Sequence, residues 1–167
     1  MNTIESKLPH VGTTIFSIMS GLAQQTGAIN LSQGFPSFEV SRELIELYNQ
    51  AMLDNQNQYA PMPGLMSLRE ELSKKTQKLY GAYYNPDTEI TITAGGTQAL
   101  YTAITAFVNK GDEVIIFEPA YDSYKPAIEL AGGIVKPYSL TAPDYRINWE
   151  VVKNMINDKT RLIMINT

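Results

Sequence analysis

The chain has 167 residues, 44% hydrophobic and 18% charged, with a formal net charge of -4; this composition supports a packed core and excludes a disordered chain. Thirteen Lys and Arg are spread along the chain rather than clustered, which excludes nucleic acid and anionic membrane as electrostatic partners. The absence of cysteine excludes disulfides and thiolate metal sites, and no run of about 18 apolar residues could span a membrane.

At the N-terminus Lys7, Pro9 and His10 precede a stretch broken by Ser17, Ser20 and Gly21, so no apolar core of a signal peptide forms and the cytoplasm is the expected compartment. Residues 1–33 read as an arm: a loose start, a short helix over 17–26 with Met19, Leu22 and Ala23 on one face, then an extended Ala28-Ile29-Asn30-Leu31. Gln33-Gly34-Phe35-Pro36 is a turn. Ser41 is placed to cap a helix whose Leu44, Leu47, Tyr48 and Ala51 form a packing stripe. Ser67-Leu68-Arg69-Glu70 has the spacing of a capping box opening a second helix, with Leu68, Leu72 and Leu79 inward and Lys74, Lys75 and Lys78 solvated.

From Glu89 the pattern alternates. Strands are expected over 89–93, 113–117, 134–136 and 162–165, with helices over 97–108, 123–131 and from Asn148. Such alternation implies a mostly parallel sheet covered by helices on both faces, with sites at the carboxyl ends of its strands. The loops at 94–98, at 118–121 and after Ile165 are therefore the candidate site loops. Thr91-Ile92-Thr93-Ala94-Gly95-Gly96-Thr97-Gln98-Ala99-Leu100 stands out, a strand passing through glycines into a helix start. Unpaired N–H groups and the positive end of the helix dipole suit a phosphate there, and no Walker lysine follows. His10 has no carboxylate or hydroxyl partner in the pattern, and no metal site is expected. Glu118 and Asp122 flank the site loop, but paired-carboxylate chemistry needs a geometry that spacing alone does not define.

Five motifs occur in order: Ile29-Asn30-Leu31-Ser32-Gln33-Gly34-Phe35-Pro36; Asn57-Gln58-Tyr59-Ala60-Pro61-Met62-Pro63-Gly64 with Leu68-Arg69-Glu70; Thr93-Ala94-Gly95-Gly96-Thr97-Gln98-Ala99-Leu100; Gly111-Asp112-Glu113-Val114; and Glu118-Pro119-Ala120-Tyr121-Asp122-Ser123-Tyr124. Together they resemble the N-terminal part of a class I/II aminotransferase of the pyridoxal-phosphate fold-type I superfamily, in its methionine and kynurenine aminotransferase branch. Ser6-Lys7-Leu8-Pro9 with Gly12-Thr13-Thr14-Ile15-Phe16 resembles the methionine side. The resemblance implies a three-layer α/β/α, mostly parallel sheet: an arm and small-domain segment at 1–33 and an incomplete cofactor-binding large domain at 34–167.

It also implies pyridoxal 5'-phosphate as cofactor, an amino acid and a 2-oxo acid as substrates, and a homodimer. By position, Gly96, Thr97 and Gln98 would hold the cofactor phosphate, mainly through backbone N–H groups. Tyr121 would lie against the pyridine ring, and Tyr59 would reach the phosphate of the neighbouring subunit. Gly34 would meet the substrate α-carboxylate through its backbone, and Phe16 would line the side-chain pocket. For Tyr59, Tyr121, Gly34 and Phe16 the alternatives of loop packing, a flexible hinge or arm packing stay open. Relatives often carry a small or acidic residue at Gln98 and an acidic one at Ser37, so no side-chain role is assigned to either.

The lysine that holds the cofactor comes late in this family's fold, and none of the nine lysines here sits in its context. No catalytic residue is assigned, and the chain is expected to be the N-terminal portion of a longer aminotransferase, inactive alone. Two other readings remain: a Rossmann-type nucleotide binder, with Gly95-Gly96 as phosphate turn and Glu118 as ribose acid but without the full G-x-G-x-x-G spacing, and a non-catalytic binding module.

Overall fold

Val114, Ile115, Ile116 and Phe117 form an unbroken apolar run, and such a strand is stable only where both of its faces are covered. In the computed structural model, which describes residues 4–34 and 36–166, that run is the centre of the sheet. Phe35 of the Gly34 turn and Thr167 lie outside the described residues. The elements run α1 (Ile15–Thr26), α2 (Arg42–Leu53), α3 (Met66–Tyr80), α4 (Gly96–Phe107), β1 (Glu113–Glu118), α5 (Tyr124–Leu130), β2 (Ile134–Ser139), α6 (Trp149–Met155) and β3 (Thr160–Met164). By packing they fall into two units, one of residues up to Ile18 and from Ala94 onward, the other Met19–Thr93.

The first unit holds a three-stranded parallel sheet in the order β2-β1-β3. Val114 and Ile116 join Ile104, Val108, Ala127 and Ile128 in one buried cluster, so α4 and α5 cover that face. On the other face Phe117 meets Trp149 of α6 edge-on at 6.1 Å and Tyr138 of β2 at 5.6 Å. The expected α/β class with helices on both faces of a parallel sheet is what forms. Gly132, at φ 83°, and Gly133 turn α5 into β2. A Cβ on Gly133 would lie 2.6 Å from Val108 Cγ1 and 2.9 Å from Ile128 Cγ2, so the turn is pressed directly onto the core. Asn148 caps α6 as its sequence position implies, its Oδ1 accepting from the N–H groups of Glu150 and Val151.

The expected strand over 89–93 does not form. A strand is defined by its ladder, and here Ile92 donates its N–H to the Pro63 carbonyl at 2.9 Å instead, tying the segment to the turn at 61–64. The extended Ala28-Ile29-Asn30-Leu31 likewise belongs to no sheet. Its local structure comes from side chains: Asn30 Nδ2 donates to Ser20 Oγ at 3.0 Å, Ser20 Oγ donates to Gln33 Oε1 at 3.2 Å, and Asn30 Oδ1 accepts from both N–H and Oγ of Ser32.

Two further expectations in the Met19–Thr93 unit are corrected. Ser67 is not a cap, because α3 starts one residue earlier and has Leu65 at its N-cap. The leucine stripe of α3 turns inward only at Leu72, which is half-buried: Leu68 and Leu79 are exposed, while Arg69 and Ser73 are the buried residues. Arg69 Nε donates to the Gly64 carbonyl at 3.1 Å, and its Nη1 donates to the carbonyls of Pro86 at 2.6 Å and Asp87 at 3.2 Å. Ser73 Oγ donates to the Tyr84 carbonyl. A guanidinium that satisfies three carbonyls at once displaces leucine from the covered side of the helix. Ser41 does occupy the N-cap of α2 but makes no side-chain capping bond, and the Leu44, Leu47 and Tyr48 stripe is exposed, since no residue of α2 is buried.

Candidate functional site

The glycine turn before α4 delivers the helix start at the sheet's carboxyl-terminal side. Gly95, at φ 91° and ψ 163°, is the N-cap, and α4 has no side-chain capping bond. A Cβ on Gly95 or Gly96 would meet nothing within 4 Å, so the space over the first turn is open to a ligand. Helix α4 runs for 12 residues, and its first-turn N–H groups carry the positive end of its dipole. The Gln98 side chain is turned back on its own loop, where Oε1 accepts from the Ala94 N–H at 2.5 Å. Its carboxamide therefore closes the turn, and a phosphate would meet the backbone there.

Tyr121 reaches this turn from the loop after β1. Its hydroxyl lies 3.2 Å from Thr97 Oγ1, and its ring is edge-on to the buried Tyr124 at 5.8 Å and 78°. The Tyr124 N–H donates to the Tyr121 carbonyl at 3.1 Å, which tightens the loop into α5. Hydrogen bonds from Thr97, and then Ser123, hold the Tyr121 phenol below its usual pKa, against opposing effects of desolvation and the Asp122 charge. At 39% exposure the ring still presents a face to solvent.

Two hollows lie within the same unit, one beside Thr97 and the other beside Tyr121. A cavity of about 370 Å³ is lined by Val11, Thr14, Thr97, Leu100, Tyr101 and Leu130 among others. A wider cleft of about 830 Å³ runs past His10, Glu118, Ala120, Tyr121, Asp122 and Ser139, at the carboxyl ends of β1 and β2. The structure thus brings together Gly96, Thr97, Gln98 and Tyr121. Phe16, half-buried in α1, belongs to the same unit. Gly34 and Tyr59 belong to the Met19–Thr93 unit, where Gly34 is exposed and Tyr59 fully so. Among the described residues no three His, Asp or Glu side chains gather as a metal site, and no helix is long and apolar enough to cross a membrane.

Sequence reasoning missed the groups that hold these residues in place. Ser20 and Asn30 brace the segment leading to Gly34, yet ten residues separate them and no local periodicity pairs them. Arg69 and Ser73 had a signal, a polar pair at i and i+4 in a helix of otherwise inward-reading leucines.

The site is therefore a glycine-opened helix start beside an aromatic loop at the carboxyl end of a parallel α/β sheet. The chain belongs to the aminotransferase class I and II family, whose model matches residues 26–167. It is 53% identical to the methionine aminotransferase of Escherichia coli strain K12 over 98% of this chain and 42% of that protein. It is 33% identical to a probable N-succinyldiaminopimelate aminotransferase of Mycobacterium tuberculosis over 97% of the chain and 41% of that protein. A solved Escherichia coli structure assigned a methionine aminotransferase function superposes with a TM-score of 0.93 at 52% identity, covering 98% of this chain and 43% of that one. The Mycobacterium tuberculosis N-succinyldiaminopimelate aminotransferase structure gives a TM-score of 0.91 at 33% identity, covering 99% and 44%. The chain therefore spans about two-fifths of the length of the relatives it matches.

Proposed function

We propose that this chain forms the phosphate- and ring-holding part of a pyridoxal 5'-phosphate-dependent aminotransferase that moves an amino group from an amino acid to a 2-oxo acid. The observation that carries the reading is the open start of α4 beside a Tyr121 ring fixed to it through Thr97. The residues present fit the coenzyme. Uncapped first-turn N–H groups suit its dianionic phosphate, and an exposed aromatic face suits its flat ring. When bound, the coenzyme supplies the electron sink that makes the bonds at an amino acid's α-carbon labile.

In this assignment the backbone N–H groups of Gly96, Thr97 and Gln98 bind the phosphate, and Tyr121 sets the plane of the ring. Tyr59 serves the phosphate of the neighbouring subunit, which makes the complete site a property of a homodimer. The Gly34 backbone orients the substrate α-carboxylate, and Phe16 bounds the pocket for its side chain. The arm ends at residue 33 and the cofactor-binding domain begins at 34. Methionine or an aromatic, kynurenine-like amino acid is the assigned donor, supported by the 53% identity to the Escherichia coli enzyme. The cytoplasm is the assigned compartment. None of this chain's nine lysines is assigned to hold the coenzyme, so the proton-moving amine is placed outside these residues.

The test is to expose the full-length apoprotein to pyridoxal 5'-phosphate and, separately, to NAD while following thermal stability and absorbance, then to assay amino transfer from methionine. A stabilising, spectrally visible response to pyridoxal 5'-phosphate with turnover is expected. A response to NAD alone would replace this reading with the nucleotide-binding one.

A further inference from the structure

We infer that Thr97 is a positioning residue whose side-chain hydroxyl fixes the orientation of the Tyr121 ring, in addition to any contact its backbone makes with phosphate. The inference rests on the aminotransferase reading above. The two hydroxyl oxygens lie 3.2 Å apart, across 24 positions of sequence, and join the first turn of α4 to the loop after β1. The hydroxyl bond acts at one end of the ring, while Tyr124 packs edge-on at 5.8 Å and 78° to limit its tilt. Tyr124 is itself only 8% exposed, so it is a fixed support.

A ring held at its hydroxyl and its edge keeps one face open and does not need to be ordered when a planar ligand arrives. Ordering a free side chain on binding weakens affinity, and pre-orientation removes that cost. The link also makes phosphate recognition and ring recognition one unit, because both grow from Thr97.

The pair is tested in the full-length protein with T97V, which keeps the β-branched shape and the backbone N–H but loses the hydroxyl, with Y121F, with the double variant and with T97S. The readout is the dissociation constant for pyridoxal 5'-phosphate, taken from its absorbance on binding to apoprotein, with far-UV circular dichroism of each apoprotein recorded alongside. T97V and Y121F are each expected to weaken retention about fivefold, the double variant also about fivefold, and T97S is expected to behave as wild type. Losses that multiply to about 25-fold in the double variant would overturn the inference, because independent hydrogen bonds contribute independently. So would a T97S that fails to rescue, or a Y121F that binds as wild type, which would leave Thr97 acting on the phosphate alone. Should T97V lose its fold, Y121F against wild type decides the matter by the same fivefold criterion. A wild-type apoprotein that takes up no pyridoxal 5'-phosphate refutes the aminotransferase reading itself, an outcome distinct from an additive cycle.

Discussion

Replacing Arg69 with leucine is expected to destabilise the Met19–Thr93 unit by about 2–4 kcal/mol, although leucine suits a helix and the neighbouring positions are leucines. Arg69 is 4% exposed, and its guanidinium bridges the Gly64 carbonyl at the head of α3 to the carbonyls of Pro86 and Asp87. Leucine would leave the buried Gly64 carbonyl without this donor and would release the turn at 86–88 from the helix. Arg69→Lys should recover little, because a single ammonium cannot reproduce a planar fork that donates in two directions. Gly64 adds to the tension at this point. It sits at φ 97°, and a side chain there would collide with Ile92, so the backbone at the head of α3 has no room to shift. Hydrogen exchange on the full-length variant should show faster exchange at residues 61–64 and 86–89 together with an earlier urea midpoint. Unchanged protection in both segments would mean that Arg69 does not hold them.

Ile116→Ala should cost about 3 kcal/mol, the range for truncating a fully buried aliphatic side chain with partial collapse of the cavity. Ile116 is 2% exposed, lies in the central strand and joins Val114, Ile104, Ala127 and Ile128 in the cluster between the sheet and α4 and α5. It stands two residues before Glu118, where β1 ends and the Tyr121 loop begins, so lost packing there also loosens the loop. Ile163→Ala is the internal control. Ile163 lies on β3 and is 40% exposed, so its truncation should cost less than half as much. Urea unfolding of the two full-length variants checks this, and equal losses would contradict the placement of the core.

The second unit's packing was less legible in the sequence than the sheet, for a physical reason. The sheet announces itself through local composition: Val114 to Phe117 is a short, β-branched apolar run of the kind that suits a covered strand, and Gly132-Gly133 and Asn148 punctuate it with residues suited to turn and cap. The turn over Ala94 to Gln98 was legible because glycine before a helix start has few other uses. What failed were the features that depend on partners distant in sequence. The strand over 89–93 has strand-forming residues, but its backbone is engaged by Pro63. The stripe of α3 obeys helical spacing, but spacing does not say which face is covered: Arg69 is buried on three carbonyls while Leu68 and Leu79 are exposed. Tyr121 was identified by resemblance, and its coupling to Thr97 followed from the distance alone.

The phosphate end of the coenzyme is probed by comparing pyridoxal 5'-phosphate with pyridoxal for binding to the full-length apoprotein. If the start of α4 is the phosphate cradle, pyridoxal should bind at least about a hundredfold more weakly, the loss of two or more charge-assisted hydrogen bonds at about 1.5–3 kcal/mol each. Equal affinity for the two compounds would mean that the open helix start contributes nothing to binding and is not the phosphate cradle.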